Sequence, residues 1–402
     1  MEIVVPRVPV KPELLRWACE RAGKPESALA EKFSGFTDWL AGAKAPTFKQ
    51  LEDFAKATHT PIGFFFLQQP PVESVPIPDF RTIDSAPLSR PSANLLDTIY
   101  LCQQRQDWFR QHALLMGDEP LRFVGSVSTN SDVLRTATKI RASLDLDTRP
   151  LTQARNSDDA VGLLMARLDE LGVLVMVSGI VGNNTHRPLD PGEFRGFALS
   201  DDLAPLIFVN GADTKAGQVF TLAHELAHLW IGESGVSDIT PASSPSPRRM
   251  VEHWCNAVAA EVLVPLASFK RSLKPSAELF AEMKRLSVLF RVSTLVILRR
   301  MRDAGHLSKD EHASAHEAEL ARLRDIMRQR KEREEGGGDF YNTSRYRLSP
   351  RFATAVISST YEGRSTFTEA FRLLGCRNVK TLENLGHSLN LANPSWAESG
   401  VG

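Results

Sequence analysis

The sequence predicts an α+β fold that is mostly α-helical. Apolar residues recur at helical spacing through most of the 402 residues, and β-rich apolar runs are concentrated between residues 172 and 210. Stretches rich in Gly and Pro separate these parts. We therefore expect an N-terminal helix-turn-helix-like bundle over residues 1–70, a linker over 71–91, a domain with a small sheet over 92–270, and a mixed, mainly helical C-terminal region over 271–402.

The N-terminal bundle is predicted from residues 12–57, which have the spacing of four short helices. Thr47 and Gln50 form a capping-box pattern at the start of the fourth helix. The arrangement resembles a lambda-repressor-like helix-turn-helix domain, with residues 34–41 at the position of the recognition helix.

Residues 34–41 nevertheless make a poor surface for reading DNA. Arg, Lys, Asn and Gln are the side chains that read base edges best, whereas this segment offers only Ser34 and Thr37 and carries the anionic Asp38. The whole chain balances 48 Lys and Arg against 48 Asp and Glu, so it has no general attraction to nucleic acid or to an anionic membrane. We expect the bundle to dock on a protein or to act as a scaffold rather than to bind DNA.

The composition is that of an ordinary soluble globular protein, with 42% hydrophobic and 24% charged residues. The four cysteines are scattered and form no C-x-x-C pair, which argues against a disulfide framework and against a thiolate metal site. The N-terminus lacks the features of a signal peptide, and no run of about 18 apolar residues occurs. We expect a cytoplasmic protein.

The remaining elements follow from the periodicity of the chain. After a proline-rich connector at residues 70–81, the predicted helices cover residues 92–116, 130–145 and 157–171. The predicted strands cover residues 172–180, 194–200 and 206–210. Two further helices are predicted over residues 214–232 and 251–265, and a charged helix over 311–335 precedes a small mixed cap over 339–402.

The predicted helix over residues 214–232 contains the pattern H-E-x-x-H, formed by His224, Glu225 and His228. Residues four apart lie on one face of a helix, so the two histidines can bind one metal ion while Glu225 faces its open side. Neutral imidazoles hold the ion, and the carboxylate can take a proton from water. The pattern indicates metal-assisted hydrolysis of peptide bonds.

A catalytic zinc site of this kind needs a third protein ligand, and the best candidate is Glu252. Asn256 lies four residues further on the same helical face, where its amide could orient a ligand histidine. Glu261 lies about half a helical revolution out of phase with Glu252, so both cannot point at one ion. His253 is the alternative third ligand.

These segments resemble the ImmA/IrrE family of metallo-endopeptidases. The resemblance depends mainly on the helix pair VFTLAHELAHLWIGESGVS (219–237) and EHWCNAVAAEVLVP (252–265). LIFVNG (206–211) and RVSTLVILRRM (291–301) support it, and residues 46–71 with the PDFR segment add the long form that has an N-terminal repressor-like domain. The resemblance implies a zincin peptidase domain of the gluzincin type.

Residue by residue, the resemblance implies zinc on His224, His228 and Glu252, with Glu225 as general base and Asn256 supporting a ligand. Two histidines and one carboxylate accept zinc or manganese. Members of the family cut regulatory proteins, typically repressors of stress-response genes or mobile elements, and often act with a partner encoded nearby. We therefore expect a protein substrate such as a repressor or an antitoxin.

Two details of the expected chemistry depend on the fold. A substrate strand could pair with the edge of the strand at residues 206–210, and the candidates for stabilising the oxyanion are His253 and Tyr341. The alternative function is a non-enzymatic transcriptional regulator or antitoxin-like binding module with a structural zinc. Glu225 argues against that alternative, because a structural site needs no general base.

Overall fold

The computed structural model of the chain describes residues 6–80, 91–237, 247–333 and 348–391. The chain divides into two compact units, Met1–Pro76 with Ala86–Ile99 and Ile77–Ser85 with Tyr100–Gly402. Helices predominate in the described residues, and a four-stranded mixed sheet lies in the second unit. The predicted fold class, α+β and mostly α, is confirmed.

The described part of the first unit contains the four short helices expected from the apolar spacing. They are α1 (Pro12–Arg21), α2 (Glu26–Lys32), α3 (Phe36–Leu40) and α4 (Phe48–Ala57), and a 3₁₀ helix follows at Ile62–Phe66. The predicted capping box is confirmed, because the Gln50 N–H donates to Thr47 Oγ1 at 3.2 Å and the Thr47 N–H donates to Gln50 Oε1 at 2.9 Å. Thr37 and Asp38 lie exposed on α3.

The rest of the described chain contains an α-helix in each of the six predicted spans and six further α-helices for which no span was predicted. They are α5 (Ala93–Met116), α6 (Val133–Ser143), α7 (Ser157–Glu170), α8 (Lys215–Ile231), α9 (Pro247–Leu263), α10 (Leu266–Ser272), α11 (Leu279–Phe290), α12 (Thr294–Asp303), α13 (Lys309–Arg333), α14 (Pro350–Tyr361), α15 (Phe367–Leu374) and α16 (Val379–Ser388). Within these residues, no helix is both long and apolar enough to cross a bilayer.

The sheet contains β1 (Leu174–Ser178), β2 (Gly196–Leu199), β3 (Leu206–Asn210) and β4 (Gly235–Val236) in the order β1-β3-β2-β4. β1 runs parallel to β3, and β2 runs antiparallel to both β3 and β4. β2 and β3 are completely buried, which explains their continuous apolar sequences. Helix α8 packs against β2, β3, α7 and α9, so it lies in the centre of the second unit.

The expectation that a peptide substrate pairs with the edge of β3 is wrong. β3 pairs with β1 on one side and with β2 on the other, so neither of its edges is open. The error arose because strand order depends on contacts between distant segments, which the apolar pattern of a single strand does not specify. On the side of β2, the last named strand of the sheet is β4.

The C-terminal region is simpler than the mixed cap that we expected. Residues 348–391 form α14, α15 and α16 and contain no strand among the residues described. Polar caps begin all three helices, since the side chains of Ser349, Thr366 and Asn378 accept hydrogen bonds from backbone N–H groups. The prediction that the C-terminal region is mainly helical therefore holds for residues 348–391.

Candidate metal centre

Helix α8 holds the H-E-x-x-H residues in the interior of the second unit. Thr214 caps the start of the helix by accepting a hydrogen bond from the Gly217 N–H, and Gly232 ends it in the left-handed conformation. His224, Glu225 and His228 are completely buried. Burying three polar side chains is costly unless each has a partner or binds a metal ion, so their surroundings indicate their function.

The two histidines of α8 point their Nε2 atoms at the same place. They lie one turn apart, and the distance between His224 Nε2 and His228 Nε2 is 3.1 Å. Each ring also contacts a phenylalanine ring, with centroid distances of 6.2 Å between His224 and Phe220 and 5.4 Å between His228 and Phe80. The helical periodicity thus produced the paired imidazoles that the sequence predicted.

Helix α9 brings Glu252 to the same place. Glu252 Oε2 lies 3.2 Å from His224 Nε2, and Glu252 Oε1 lies 3.0 Å from His228 Nε2. Burial opposes ionisation of this carboxyl, but the two histidines outweigh burial and lower its pKa to about 2. The carboxylate is therefore anionic between two imidazoles.

These three side chains fit a bound cation. Their ligand atoms all lie within 4.8 Å of one another, and all three side chains are buried. Among the described residues, neither Glu252 oxygen has a well-formed hydrogen bond, so the two imidazoles are the main polar neighbours of this carboxylate. Convergence of buried ligand atoms on one point is what a metal site requires, and two His with one Glu is a donor set of catalytic zinc sites.

Glu225 lies beside this cluster and is held by a residue that follows the last strand of the sheet. Its Oε2 accepts a hydrogen bond of 3.0 Å from Ser237 Oγ, just after β4, whereas its Oε1 has no hydrogen-bond partner among the described residues. Burial raises the pKa of Glu225 to about 8. A raised pKa makes this carboxylate a stronger base than an exposed glutamate, which suits transfer of a proton from water.

The backbone of β2 closes the other side of Glu225. A Cβ atom at Gly196 would lie 3.1 Å from Glu225 Oε1, 2.5 Å from Thr221 Cγ2 and 2.8 Å from the Phe208 carbonyl oxygen. Glycine is therefore the residue that lets β2 approach α8 at this point. The isolated glycine in the strand pattern was the sequence signal available for this close approach. The contact with Ser237 had no such signal, because Ser237 lies twelve residues after Glu225 and beyond the end of the helix, where helical periodicity predicts no contact.

The other predicted residues occupy different environments. Glu261 pairs with Arg300, with 2.6 Å between Glu261 Oε2 and Arg300 Nη2, in agreement with its predicted exclusion from the metal site. Asn256 is buried, but its Oδ1 has no hydrogen bond among the described residues, so the expected contact with a ligand histidine is not formed. His253 is exposed near Arg299, Arg302 and Asp303.

Of the two candidates for stabilising the oxyanion, only His253 lies among the described residues. Partial desolvation of its ring, followed by the positive charges of the two neighbouring arginines, lowers the pKa of His253. Among the described residues, His253 is not part of the group formed by His224, His228 and Glu252. Tyr341 lies outside the described residues. Its predicted role stays a prediction.

A buried helix with H-E-x-x-H and a carboxylate from the following helix define a metallopeptidase-like domain. Residues 168–302 match the family described as IrrE N-terminal-like domain, a peptidase family. This match confirms the resemblance to the ImmA/IrrE family over β1–β4 and α8–α12, and the N-terminal helices lie outside it. Residues 348–388 match a domain of unknown function (DUF8813). No match was found among curated proteins.

Proposed function

We propose that this protein is a zinc-dependent endopeptidase that cleaves a regulatory protein. The observation that carries the proposal is the convergence of His224, His228 and Glu252 on one point, with the buried Glu225 beside them. A structural zinc site closes with four protein ligands, whereas three ligands with a general base suit catalysis. The match to a peptidase family supports the same conclusion.

His224 and His228 would hold the ion through Nε2, and Glu252 would hold it through a carboxylate oxygen. Zinc and manganese both suit two histidines and one carboxylate. When bound, such an ion supplies Lewis acidity that activates water and polarises a peptide carbonyl. The anionic Glu252 would stabilise the positive charge of the bound ion in this buried place.

Glu225 performs the proton transfers in this proposal. Its carboxylate accepts a proton from the attacking water and passes the proton to the amine that leaves when the peptide bond breaks. Ser237 keeps Oε2 occupied by donating a hydrogen bond to it, so that Oε1 is the oxygen available for the proton. Burial, which raises the pKa of the carboxyl, favours its protonated form between the two steps.

We expect the Ser237→Ala variant to have about a tenfold lower kcat, because Glu225 loses the hydrogen bond that orients it. Tenfold corresponds to about 1.4 kcal/mol, near the lower end for a hydrogen bond to a charged group. Ser237→Thr keeps a hydroxyl and is expected to retain most of the activity. Steady-state measurement of kcat and KM on one protein substrate checks both variants, and equal kcat for Ser237→Ala and wild type would contradict the positioning role.

The substrate that we propose is a repressor or an antitoxin-like protein in a bacterial stress-response or mobile-element pathway. Its support is the resemblance to the ImmA/IrrE family over residues 168–302. The first unit is proposed to dock on a protein rather than on DNA, because α3 exposes Thr37 and Asp38 instead of basic side chains. Salt-dependent DNA binding that survives His224→Ala would favour the regulator alternative.

The test is quantitative mapping of new protein N-termini in native host cells that produce either wild type or Glu225→Gln, with and without genotoxic stress. We expect at least one new N-terminus with wild type only, and we expect purified components to reproduce it. If no new terminus appeared under any condition while both forms stayed folded and bound metal, the proposal of an endopeptidase would be wrong and a binding regulator would be favoured.

A further inference from the structure

The proline-rich connector, which is predicted to join the N-terminal bundle to the domain with the sheet, contributes residues to that sheet. The Phe80 N–H donates to the Val236 carbonyl oxygen at 2.9 Å, and the Val236 N–H donates to the Pro78 carbonyl oxygen at 3.0 Å. Asp79 and Val236 are partners in a parallel bridge. Because Val236 belongs to β4, residues 78–80 extend the sheet by one position beyond its last named strand.

This pairing places the Phe80 ring against the metal centre. Phe80 is only 4% exposed, and its ring centroid lies 5.4 Å from that of His228, at an interplanar angle of 32°. A Cβ atom at Gly235 would lie 2.1 Å from Phe80 Cε2 and 2.4 Å from Phe80 Cδ2. The ring therefore occupies the space between β4 and His228, and it does so because position 235 has no side chain.

The His228 ring requires a contact that fixes its orientation if its Nε2 is to bind a metal ion. A metal-binding histidine usually donates its second ring N–H to a carboxylate or a carbonyl, and that bond fixes the orientation of the ring. Within the described part of the chain, neither His228 Nδ1 nor His224 Nδ1 has a hydrogen-bond partner. Each ring does pack on an aromatic ring, His228 on Phe80 and His224 on Phe220, and such packing restricts the orientation of an imidazole.

We propose that Phe80 is a positioning residue of the metal centre. The pairing of residues 78–80 with β4 places the Phe80 ring against His228. This ring keeps the His228 imidazole in the orientation in which Nε2 faces His224 and Glu252. This inference rests on the proposed metal site. It assigns a part of the proline-rich connector to the active centre.

The Phe80→Ala variant tests the inference through metal binding. We expect its dissociation constant for zinc, measured by chelator competition, to rise about 10- to 100-fold, the usual cost of losing a residue that orients a ligand. We also expect the absorption spectrum of the cobalt-loaded protein to change, because the spectrum reports ligand geometry. Phe80→Leu keeps apolar volume without a flat ring face and should lie between Phe80→Ala and wild type.

The matched control is Phe290→Ala. Phe290 is also 4% exposed and belongs to the same hydrophobic core, but its ring packs on Phe269 rather than on a histidine. Phe290→Ala should therefore lower the melting temperature by a similar amount and leave the zinc affinity and the cobalt spectrum unchanged. A general effect of core damage would alter both variants alike.

A second variant disturbs the same contact from the other side. The methyl group of Gly235→Ala must displace the Phe80 ring, so this variant should also weaken zinc binding. In the double variant with Phe80→Ala the methyl group no longer meets the ring, and its next nearest neighbour is the Pro78 carbonyl oxygen, at 3.1 Å. We therefore expect zinc binding close to that of Phe80→Ala alone. Gly63→Ala is the control, since a Cβ atom there meets nothing within 4 Å.

The inference is overturned, while the metal site stands, by unchanged zinc affinity and spectrum in Phe80→Ala, by an equal loss of affinity in Phe290→Ala, or by additive effects of Phe80→Ala and Gly235→Ala. Faster proteolysis by Phe80→Ala would also overturn it, because residues 78–80 would then block the centre instead of supporting it. Failure of the wild-type protein to bind either zinc or cobalt would refute the proposed function together with the inference.

Discussion

The Glu225→Gln variant is expected to bind zinc as tightly as wild type and to cleave its protein substrate about 100- to 10,000-fold more slowly, the usual contribution of a general base. Glutamine has nearly the same shape, and its amide oxygen can still accept the hydrogen bond from Ser237 Oγ. The three ligand side chains are left unchanged. Only the ability to take a proton from water is lost.

Single-turnover cleavage of the substrate found by N-terminus mapping, together with zinc analysis of the same samples, checks this prediction. Glu233→Gln is a suitable control, because Glu233 lies just beyond the end of α8 and is partly exposed. It should leave cleavage unchanged. Cleavage by Glu225→Gln at the wild-type rate would show that another group acts as the base.

The Glu252→Ala variant is expected to lose its metal rather than only its activity. Glu252 supplies the only carboxylate of the His224, His228 and Glu252 group, at 3.0 and 3.2 Å from the two Nε2 atoms. Loss of an outer residue that orients a ligand already costs about 10- to 100-fold in metal affinity, so loss of a ligand should cost more than about 100-fold. Isothermal titration with zinc measures the change directly.

Glu261→Gln is the matched control for this variant, because Glu261 lies on the same helix but pairs with the buried Arg300. We expect Glu261→Gln to lower the free energy of unfolding, since Arg300 loses an anionic partner, and to leave zinc affinity unchanged. Zinc affinity should thus depend on Glu252 and not on Glu261, whereas the Glu261–Arg300 pair should contribute to the free energy of unfolding. Full zinc occupancy in Glu252→Ala would move the third ligand elsewhere.

The geometry of the centre could be predicted as far as helical periodicity extends. His224 and His228 are one turn apart on a helix that the composition and the absence of proline predict, and they do face one point. The same phase argument separated Glu252 from Glu261 on α9, and the structure brings only Glu252 to the histidines. The catalytic roles of these residues stay predictions.

Contacts that join distant segments were beyond the reach of the sequence. The position of β3 inside the sheet, the hydrogen bond from Ser237 to Glu225 and the packing of Phe80 on His228 all link residues whose spacing follows no helical or strand period. The expected contact between Asn256 and a histidine had the correct spacing on α9, but the Asn256 amide does not make it. A shared helix face brings side chains near one another without determining their hydrogen bonds.

The sequence by itself determined the helices for which it predicted spans, the three apolar strands and the H-E-x-x-H residues, because short-range periodicity and capping specify these features within a few turns of chain. The tertiary structure alone decided the strand order, the surroundings of Glu225 and the place of residues 78–80 at the end of the sheet. These features depend on which buried surfaces fit together once the elements have formed. Such complementarity is a property of the packed molecule and leaves no periodic pattern in the chain.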